Sequence, residues 1–265
     1  MNLSFFTDNK SGSGKIRGNQ IADYIGAKLN PTEGYENDIC IYVKNQPPEN
    51  FPKASYLDIV DGGEHIKWLR NHPEIGVISM TKPSMVYLSN KLNRDDIHII
   101  PQHHCNFERK QREPREVKVV GYIGGKRQFQ YNYKHLKVDL EKVGLDFKCK
   151  TKFRDRSEVI NFLNSVDINI AYRHRKRGQW LRDSLKLANA GSFGIPSVAY
   201  PEIGYESEFK GCYIKAETEE DLVSGCKLLA ENEDIYNKIA KDALEKSESY
   251  HIDNITPLYQ TLKEL

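Results

Sequence analysis

The chain has 265 residues, which is enough for one large domain or two domains of ordinary size. Its 39 basic and 37 acidic residues give a net charge of +2, so no overall field attracts nucleic acid or an anionic membrane surface. Apolar residues make up 38% of the sequence, which suffices for a buried core and argues against disorder.

Cysteine usage and the N-terminal sequence bear on the cellular compartment. The five cysteines are scattered, odd in number and never form a C-x-x-C pair, which argues against a disulfide framework and a zinc knuckle. The N-terminus lacks a basic leader pattern, and no stretch approaches the roughly 20 apolar residues of a membrane span. We therefore expect a cytoplasmic protein with no membrane span and no bound metal.

Short β-branched or aromatic runs alternate with helical patterns along the first hundred residues. Helical spacing of apolar residues predicts helices at 18–29, 65–70 and 84–92. The intervening apolar runs predict strands at residues 3–6, 39–43, 56–60, 77–80 and 97–100.

The alternation breaks at residues 107–116, which are charged apart from one Phe, one Gln and one Pro. This run predicts a solvated linker, with a binding patch as the alternative. After it, apolar runs predict strands at 117–123, 147–150, 168–172, 197–199 and 211–214. Helices are predicted at 156–164, from 183 or 184 to about 193, at 219–247 and near 254–264.

Strand–helix alternation of this kind predicts parallel sheets with helices on both faces. The fold class is therefore α/β, with two Rossmann-like doubly wound domains facing a cleft, where ligands bind. The predicted domains are residues 1–110 and 111–250. Residues 251–265 form a final helix, for which crossing back to the N-terminal domain is one option.

A glycine cluster follows the first predicted strand and includes Gly12, Gly14 and Lys15. It is not a phosphate-binding P-loop, because Asn9 replaces the first glycine and Ile16 replaces the hydroxyl residue that would bind magnesium. Two interpretations stay open: a plain turn, or a loop whose following helix presents its amides to an anion or a sugar.

The segment 173–201 combines a basic loop, a helix start and a helix stop. Asp183 or Ser184 offers an N-cap, Gly194 a C-cap, and Pro196 prevents the helix from continuing. A basic loop entering a helix N-terminus suits a diphosphate, because free N–H groups and cationic side chains both favour anions. The alternative is an ordinary packed helix that follows a solvated basic loop.

Lys186-Leu-Ala-Asn-Ala-Gly-Ser-Phe-Gly-Ile-Pro-Ser-Val198 resembles the K-L-x-E-A-x-A-x-G-x-P-V-V signature of GT-B glycosyltransferases. Residues 153–170 resemble the helix and strand that precede this signature in the family. Residues 97–101 and 119–124 resemble the strands that close the first domain and open the second. The resemblance covers about two-thirds of the chain and implies the GT-B fold and a nucleotide-sugar donor.

The resemblance also assigns site residues. Lys186 would bind the donor diphosphate together with Arg182 and Arg177, while Ser184 and Leu187 would offer backbone amides. Asn189 would contact the donor sugar or ribose, and Gly124 and Gly125 join the glycine cluster of residues 12–15 as loops near the cleft. Retaining enzymes of this type carry acidic residues where this chain has Leu181 and Asn189, so the sequence leaves open whether configuration is retained or inverted.

A catalytic base is expected at a strand end of the N-terminal domain, where it could deprotonate an acceptor hydroxyl. The candidates are Asp61, His65 and Asp8, although the position of Asp61 favours a turn residue or an N-cap over a base. His103 and His104 follow the last strand of this domain and are expected to be structural, with an acceptor-side or hinge role as the alternative.

These expectations amount to a metal-independent glycosyltransferase that needs no cofactor and uses a nucleotide-diphosphate-sugar donor, most naturally a UDP-sugar. The acceptor would be a hydroxyl of a glycan, a small molecule or modified, phage-type DNA. The alternative is a non-catalytic nucleotide-sugar-binding module. An epimerase or a dehydrogenase is disfavoured by the absence of a dinucleotide fingerprint.

Overall fold

A computed structural model describes residues 2–8, 11–113, 115–174 and 178–263. Contacts divide the chain into two compact units. The first unit comprises the described parts of Met1–His103, Gly178–Asp183 and Ile252–Leu265. The second unit comprises those of His104–Arg177 and Ser184–His251. The sequence-based division at residues 110 and 250 differs from these limits by seven residues and one residue, respectively.

The first unit contains a six-stranded parallel sheet in the order β2-β1-β3-β4-β5-β6. Its central strands are buried along their whole length, as expected when helices cover both faces of a parallel sheet. The strands are β1 (Leu3–Phe6), β2 (Lys28–Leu29), β3 (Ile39–Val43), β4 (Ser55–Asp58), β5 (Gly76–Ser79) and β6 (Ile97–Ile99).

The helix after β1 begins earlier than the sequence predicts. Residues Gly14–Gln20 form wide π-helical turns that lead directly into α1 (Ile21–Ile25). A Cβ on Gly14 would lie 2.2 Å from Thr7 Oγ1, and one on Gly18 would lie 2.9 Å from Thr7 Cγ2. The two glycines therefore let the helix lie against the end of β1. The predicted helix at 18–29 is wrong at both ends, because α1 ends at Ile25 and Leu29 belongs to β2.

Two further helices cover the first sheet, and both were predicted within two residues of their starts. A 3₁₀ turn at Gly63–His65 precedes α2 (Ile66–Arg70), and α3 spans Lys82–Leu92. Thr81 caps α3, since its hydroxyl accepts a hydrogen bond from Ser84 N–H at 3.1 Å.

The second unit contains a five-stranded parallel sheet in the order β11-β10-β9-β7-β8. The strands are β7 (Val119–Ile123), β8 (Asp146–Lys150), β9 (Ile168–Ala171), β10 (Ser197–Ala199) and β11 (Ile214–Lys215). The helices are α4 (Tyr133–Glu141), α5 (Arg156–Asn164), α6 (Leu185–Gly191), α7 (Ile203–Glu208), α8 (Glu219–Glu231) and α9 (Glu233–Glu248).

The predicted helix at 219–247 is two helices, because Asn232 leaves the helical conformation and caps α9 through its bond with Ile235 N–H. The predicted stop at Gly194 is confirmed. Gly194 has φ +68, and Ile195 N–H donates to Ala190 O while Gly194 N–H donates to Gly191 O. This pair of bonds is the Schellman motif that glycine favours after a helix.

The charged run 107–116 contains neither helix nor strand among its described residues, as predicted, but it is not simply solvated. Arg112 and Arg115 both bond to the buried carboxylate of Asp167, which precedes β9. Asp167 also accepts from the backbone N–H groups of Lys118 and Val119 at 2.9 and 2.7 Å. Burial alone would raise the pKa of Asp167, but these bonds hold it below its ordinary value.

The last helix, α10 (Ile252–Gln260), belongs to the first unit. Its Tyr259 ring meets Phe5 of β1 edge-on, with centroids 5.3 Å apart. After the helix, Lys263 O accepts a hydrogen bond from Tyr56 Oη at 2.6 Å. Within the described ranges, no helix is both long enough and apolar enough to cross a membrane.

Candidate functional site

Each sheet reverses its direction of growth once, and such a reversal is where doubly wound sheets commonly bind ligands. In the second unit the reversal lies between β7 and β9, since β8 pairs on one side of β7 and β9 pairs on the other. In doubly wound sheets the crevice at such a point, outside the carboxyl ends of the strands, is the usual binding site. The residues that follow β7 and β9 are therefore the first to consider.

Lys186 on α6 reaches the end of β7. Its Nζ donates a hydrogen bond to Ile123 O at 2.6 Å and lies 4.6 Å from the centroid of the Tyr122 ring. Tyr122 Oη in turn donates to Gly125 O at 3.1 Å. These contacts fix an ammonium group at the switch point of the second sheet. The structure thus brings together Lys186 and the Gly124–Gly125 turn, which the sequence placed near the cleft without linking them.

The turn after β7 requires glycine at one of its two positions. Gly124 has φ +153, and a Cβ there would lie 2.2 Å from Lys186 Nζ and 2.9 Å from Tyr122 Oη. Gly125 has φ −59, and its Cβ would come no closer than 4.0 Å to Gln128 Cγ. Of the two glycines, Gly124 is therefore the one whose missing side chain leaves room for the Lys186 ammonium. The same missing side chain leaves the backbone open to close approach by a ligand.

A second cation lies just beyond β9. Arg173 forms a forked pair with Glu202, at 2.8 Å from Nε and 2.7 Å from Nη2, and its Nη1 donates to Gln128 Oε1 at 3.1 Å. Glu202 is buried and precedes α7. Paired in this way, Arg173 ties together the segments that follow β7, β9 and β10. Sequence reasoning treated Arg173 as part of a basic loop and missed Glu202.

The start of α6 differs in detail from the expected anion site. Leu187 N–H already donates to Ser184 O at 3.0 Å, and the Leu187 side chain lies in the core. Ser184 occupies the N-cap position, but its hydroxyl forms no capping bond and is buried without a hydrogen-bond partner among the described residues. The amides that precede Leu187 are those that a helix start leaves to other partners.

Asn189 has a structural contact that the sequence did not indicate. Its Oδ1 accepts a hydrogen bond from Cys105 N–H at 2.8 Å. The small residues of α6 also allow it to pack closely against α9, because a Cβ on Gly191 would lie 2.7 Å from Ala243 O. An amide at position 189 is thus accounted for by packing within the second unit.

The two predicted arginines have different outcomes. Arg177 lies outside the described residues. Arg182 belongs to the first unit, with the 3₁₀ turn Gln179–Leu181, whereas Ser184 and Lys186 belong to the second. Leu181 anchors this turn, since its buried side chain lies in the same cluster as Leu57 and Ile66.

In the first unit the corresponding reversal lies between β1 and β3. Asp8 follows β1, and its carboxylate accepts bonds from Ser11 N–H and Ser11 Oγ at 3.1 and 3.0 Å, so it stabilises the turn into the next helix. Lys15 N–H donates to Ser11 O. Gly12 is exposed, whereas Gly14 is buried against Thr7.

The predicted bases near β4 differ in exposure and in their partners. Asp61 is exposed and forms an ion pair with Lys44, 2.6 Å from its Nζ. His65 is buried, burial lowers its pKa, and its Nδ1 has no hydrogen-bond partner among the described residues. A neutral imidazole at neutral pH is the form that can accept a proton.

The first unit also contains a buried ion pair that sequence reasoning missed. Arg17 Nε donates to Asp58 Oδ2 at 2.6 Å, and the two side chains are 1% and 0% exposed. Burial raises the pKa of Asp58, and the adjacent guanidinium opposes this shift. Val60, two residues on, has φ +51, a strained value for a β-branched residue. The sequence did not indicate that Arg17 lies in a helix, because its pattern predicts a loop at this position.

His103 and His104 are both buried. A ring nitrogen of His103 lies 2.9 Å from Ile16 O, and His104 Nδ1 accepts from Asn106 N–H at 3.1 Å. These contacts fit the structural role expected of them. Within the described residues, no three His, Cys, Asp or Glu side chains are grouped so as to hold a metal ion.

No protein-family model and no curated protein matches the sequence. Solved structures do match. HepE from Anabaena, in complex with UDP and glucose, aligns over 100% of both chains with a TM-score of 0.67 and 12% identity. WaaG, a glycosyltransferase involved in lipopolysaccharide biosynthesis, aligns over 96% of this chain and 97% of its own, with a TM-score of 0.61 and 9% identity.

TarM from S. aureus, in complex with fondaparinux, α-GlcNAc-glycerol and UDP, aligns with a TM-score of 0.64 and 14% identity. The match covers 84% of this chain, which spans 55% of the TarM chain. At such identities the similarity concerns the fold. The predicted fold class, α/β with two Rossmann-like units in the GT-B arrangement of sheets and helices, is confirmed.

Proposed function

We propose that this protein is a glycosyltransferase that takes a sugar from a nucleotide-diphosphate donor, preferably a UDP-sugar, and transfers it to a hydroxyl acceptor. The observation that supports this most is the position of Lys186, whose ammonium is fixed at the switch point of the second sheet beside a glycine turn. The matched structures of HepE and TarM contain UDP, which is why a uridine donor is preferred.

The donor diphosphate would lie along the backbone of Gly124, where no side chain blocks its approach. Lys186 would stabilise the negative charge that develops on the leaving diphosphate, as preorganised cations do in transfer reactions. The first amides of α6 would add to this field, so the proposed site requires no metal. Asn189 would approach the sugar or ribose through its Nδ2, because its Oδ1 is used by Cys105.

The acceptor would bind to the first unit, and the base that deprotonates its hydroxyl would come from the segments after β1 or β4. Of the three predicted bases, His65 best suits the role, because burial lowers its pKa and keeps it neutral at neutral pH. Asp61 is paired with Lys44, and Asp8 stabilises its own turn.

The direct test is donor turnover. Incubation with UDP-, GDP- and TDP-sugars, with and without a glycan pool, should release nucleotide, and Lys186→Ala should reduce this release. Loss of one charge-assisted hydrogen bond is worth about 1.5–3 kcal/mol, or roughly a 10- to 100-fold loss. Lys227→Ala is the matched control, because Lys227 is an exposed lysine of the same unit that pairs with Glu231 one helical turn away.

The alternatives give different results in the same assay. Tight binding of UDP-sugars without nucleotide release, whatever the acceptor pool, would identify a binding module. A change in sugar configuration with the nucleotide still attached, seen by NMR, would identify an epimerase. Activity that is abolished by EDTA and restored by Mg²⁺ would contradict metal independence. Transfer to hydroxymethylated DNA but not to glycans would assign the DNA acceptor.

A further inference from the structure

The surface of the first unit exposes a tryptophan beside a tyrosine. Trp180 is 47% exposed, and its ring plane is within 3° of that of Tyr87 on α3, with the ring centroids 6.3 Å apart. This separation exceeds the roughly 3.5–4.0 Å of direct contact between stacked carbons. The two rings are therefore displaced from each other, and neither is fully covered by its neighbour.

The exposure of Trp180 follows from how its segment is held. The next residue, Leu181, is buried in the core of the first unit and lies 3.4 Å from the position that a Cβ on Gly63 would occupy. Leu181 N–H also donates to Gly178 O at 3.2 Å, which closes the 3₁₀ turn. Since the turn is anchored, the indole is presented to solvent in a fixed position, although large aromatic rings are usually buried.

The exposed face of α3 extends this surface. Tyr87, Asn90 and Lys91 lie three and four residues apart and therefore share one side of the helix. Lys91 Nζ lies 5.7 Å from the centroid of the Tyr87 ring. Val86 is 46% exposed on the adjacent side. We call the surface formed by Val86, Tyr87, Asn90, Lys91 and Trp180 the aromatic platform.

The platform has the chemistry of a sugar-binding surface. A pyranose ring presents C–H groups on its faces and hydroxyls at its edge. The C–H groups suit the negative faces of aromatic rings, and the hydroxyls can bond to the amide of Asn90 and the ammonium of Lys91. A nucleic-acid base would also stack, but a nucleic acid requires several cations for its phosphates, and Lys91 is the one cation among the five described residues that define the platform.

We propose that the aromatic platform binds a pyranose unit of a carbohydrate. This further step rests on the proposed function: the bound pyranose is part of the acceptor glycan. It is a different sugar unit from the one that receives the new sugar. The platform therefore positions the glycan by binding a unit remote from the reaction. Binding energy from such a remote contact improves use of the acceptor without changing the donor site.

A binding experiment tests the platform without turnover. The protein has two tryptophans, so Trp68→Phe leaves Trp180 as the only indole. This variant is titrated with tetrasaccharides of glucose, N-acetylglucosamine, mannose and galactose, and with an eight-residue oligothymidylate. We expect a saturable change in emission with at least one tetrasaccharide, and an affinity about 10-fold lower when Tyr87→Ala is added.

Tyr133→Ala is the control, because it removes an exposed tyrosine, 47% accessible, that lies in the second unit and outside the platform. It should leave the affinity unchanged. No response to any of the four tetrasaccharides would overturn the proposal. A response to the oligonucleotide alone would do so as well, as would an emission that changes only with protein concentration, which indicates contact with a second copy.

Separate results test the proposal for the platform and the proposed function. Tetrasaccharide binding without any transfer would support the platform and reject the transferase. Transfer to a glycan with an acceptor KM unchanged in Trp180→Ala would support the transferase and reject the platform. Where both hold, Trp180→Ala raises the acceptor KM about 10-fold and leaves the KM of the donor unaltered.

Discussion

Lys186 illustrates how a single side chain acquires a role from residues distant in sequence. Its ammonium meets the carbonyl of Ile123, 63 residues earlier in the chain, and is kept there by the missing side chain of Gly124. The sequence pattern around Lys186 predicted a donor site there, and this assignment stays a prediction. The pattern could not show which loop the lysine faces, because that contact is made only after both strands are in the sheet.

Another residue-scale feature, the Arg17–Asp58 pair, leads to a prediction about stability. Asp58→Ala leaves the Arg17 charge buried without its partner, which costs about 3–5 kcal/mol. Replacing both residues, with Arg17→Met and Asp58→Leu, removes both charges and should cost less than Asp58→Ala alone. Urea unfolding followed by tryptophan fluorescence measures this, because Trp68 and Trp180, the only two tryptophans, both lie in the first unit.

A double variant as unstable as Asp58→Ala would contradict this account of the pair. In that case the lost stability would come from packing around Arg17 rather than from an uncompensated charge. Nη1 and Nη2 of Arg17 are buried without hydrogen-bond partners among the described residues, which makes the charge more costly once Asp58 is removed.

At the scale of elements, Asp167 joins the charged run 107–116 to the sheet of the second unit. Its carboxylate meets Arg112, Arg115 and two backbone N–H groups at the start of β7. Asp167→Ala should therefore release the run and accelerate tryptic cleavage at Lys110, Arg112 and Arg115 by at least about 10-fold. Removal of one member of a buried pair costs several kcal/mol, of which local opening needs only part.

Glu116→Ala serves as the control for this cleavage experiment. Glu116 and its partner Lys118 are largely exposed, so the variant should be cleaved at the rate of the wild type. If Asp167→Ala and Glu116→Ala are cleaved equally slowly, the run is held by contacts other than Asp167. Sequencing of the fragments shows whether cleavage occurs within residues 110–115 or elsewhere.

The elements also show what the sequence could establish. The buried parallel strands were predicted nearly residue by residue, because such strands are continuous apolar runs bounded by turn residues. The first turn of the helix that begins at Gly14 was missed because glycines indicate a loop, whereas here Gly14 and Gly18 permit contact with Thr7. That requirement is tertiary, and no local pattern contains it. The short strand β2 was missed for a similar reason, since only pairing with β1 defines it.

On the scale of the whole molecule, the chain passes between the two units several times, whereas a division into two consecutive halves would require a single passage. The turn Gln179–Leu181 and helix α10 both return to the first unit. The resemblance assigned Arg182 and Lys186 to one site, whereas the division between the two units falls between these residues, at Asp183 and Ser184. The order of residues along the chain does not show such a crossing, because tertiary contacts define it.

The central claim is that the glycine turn after β7 and Lys186 form the donor site. The most direct test is isothermal titration calorimetry of UDP binding to the wild type, Gly124→Ala, Gly125→Ala and Lys186→Ala. Circular dichroism confirms that each variant is folded. Wild type and Gly125→Ala should bind UDP within about 2-fold of each other, while Gly124→Ala and Lys186→Ala should bind at least about 10-fold more weakly. If Gly124→Ala and Lys186→Ala are folded and bind UDP with the affinity of the wild type and of Gly125→Ala, the claim is contradicted.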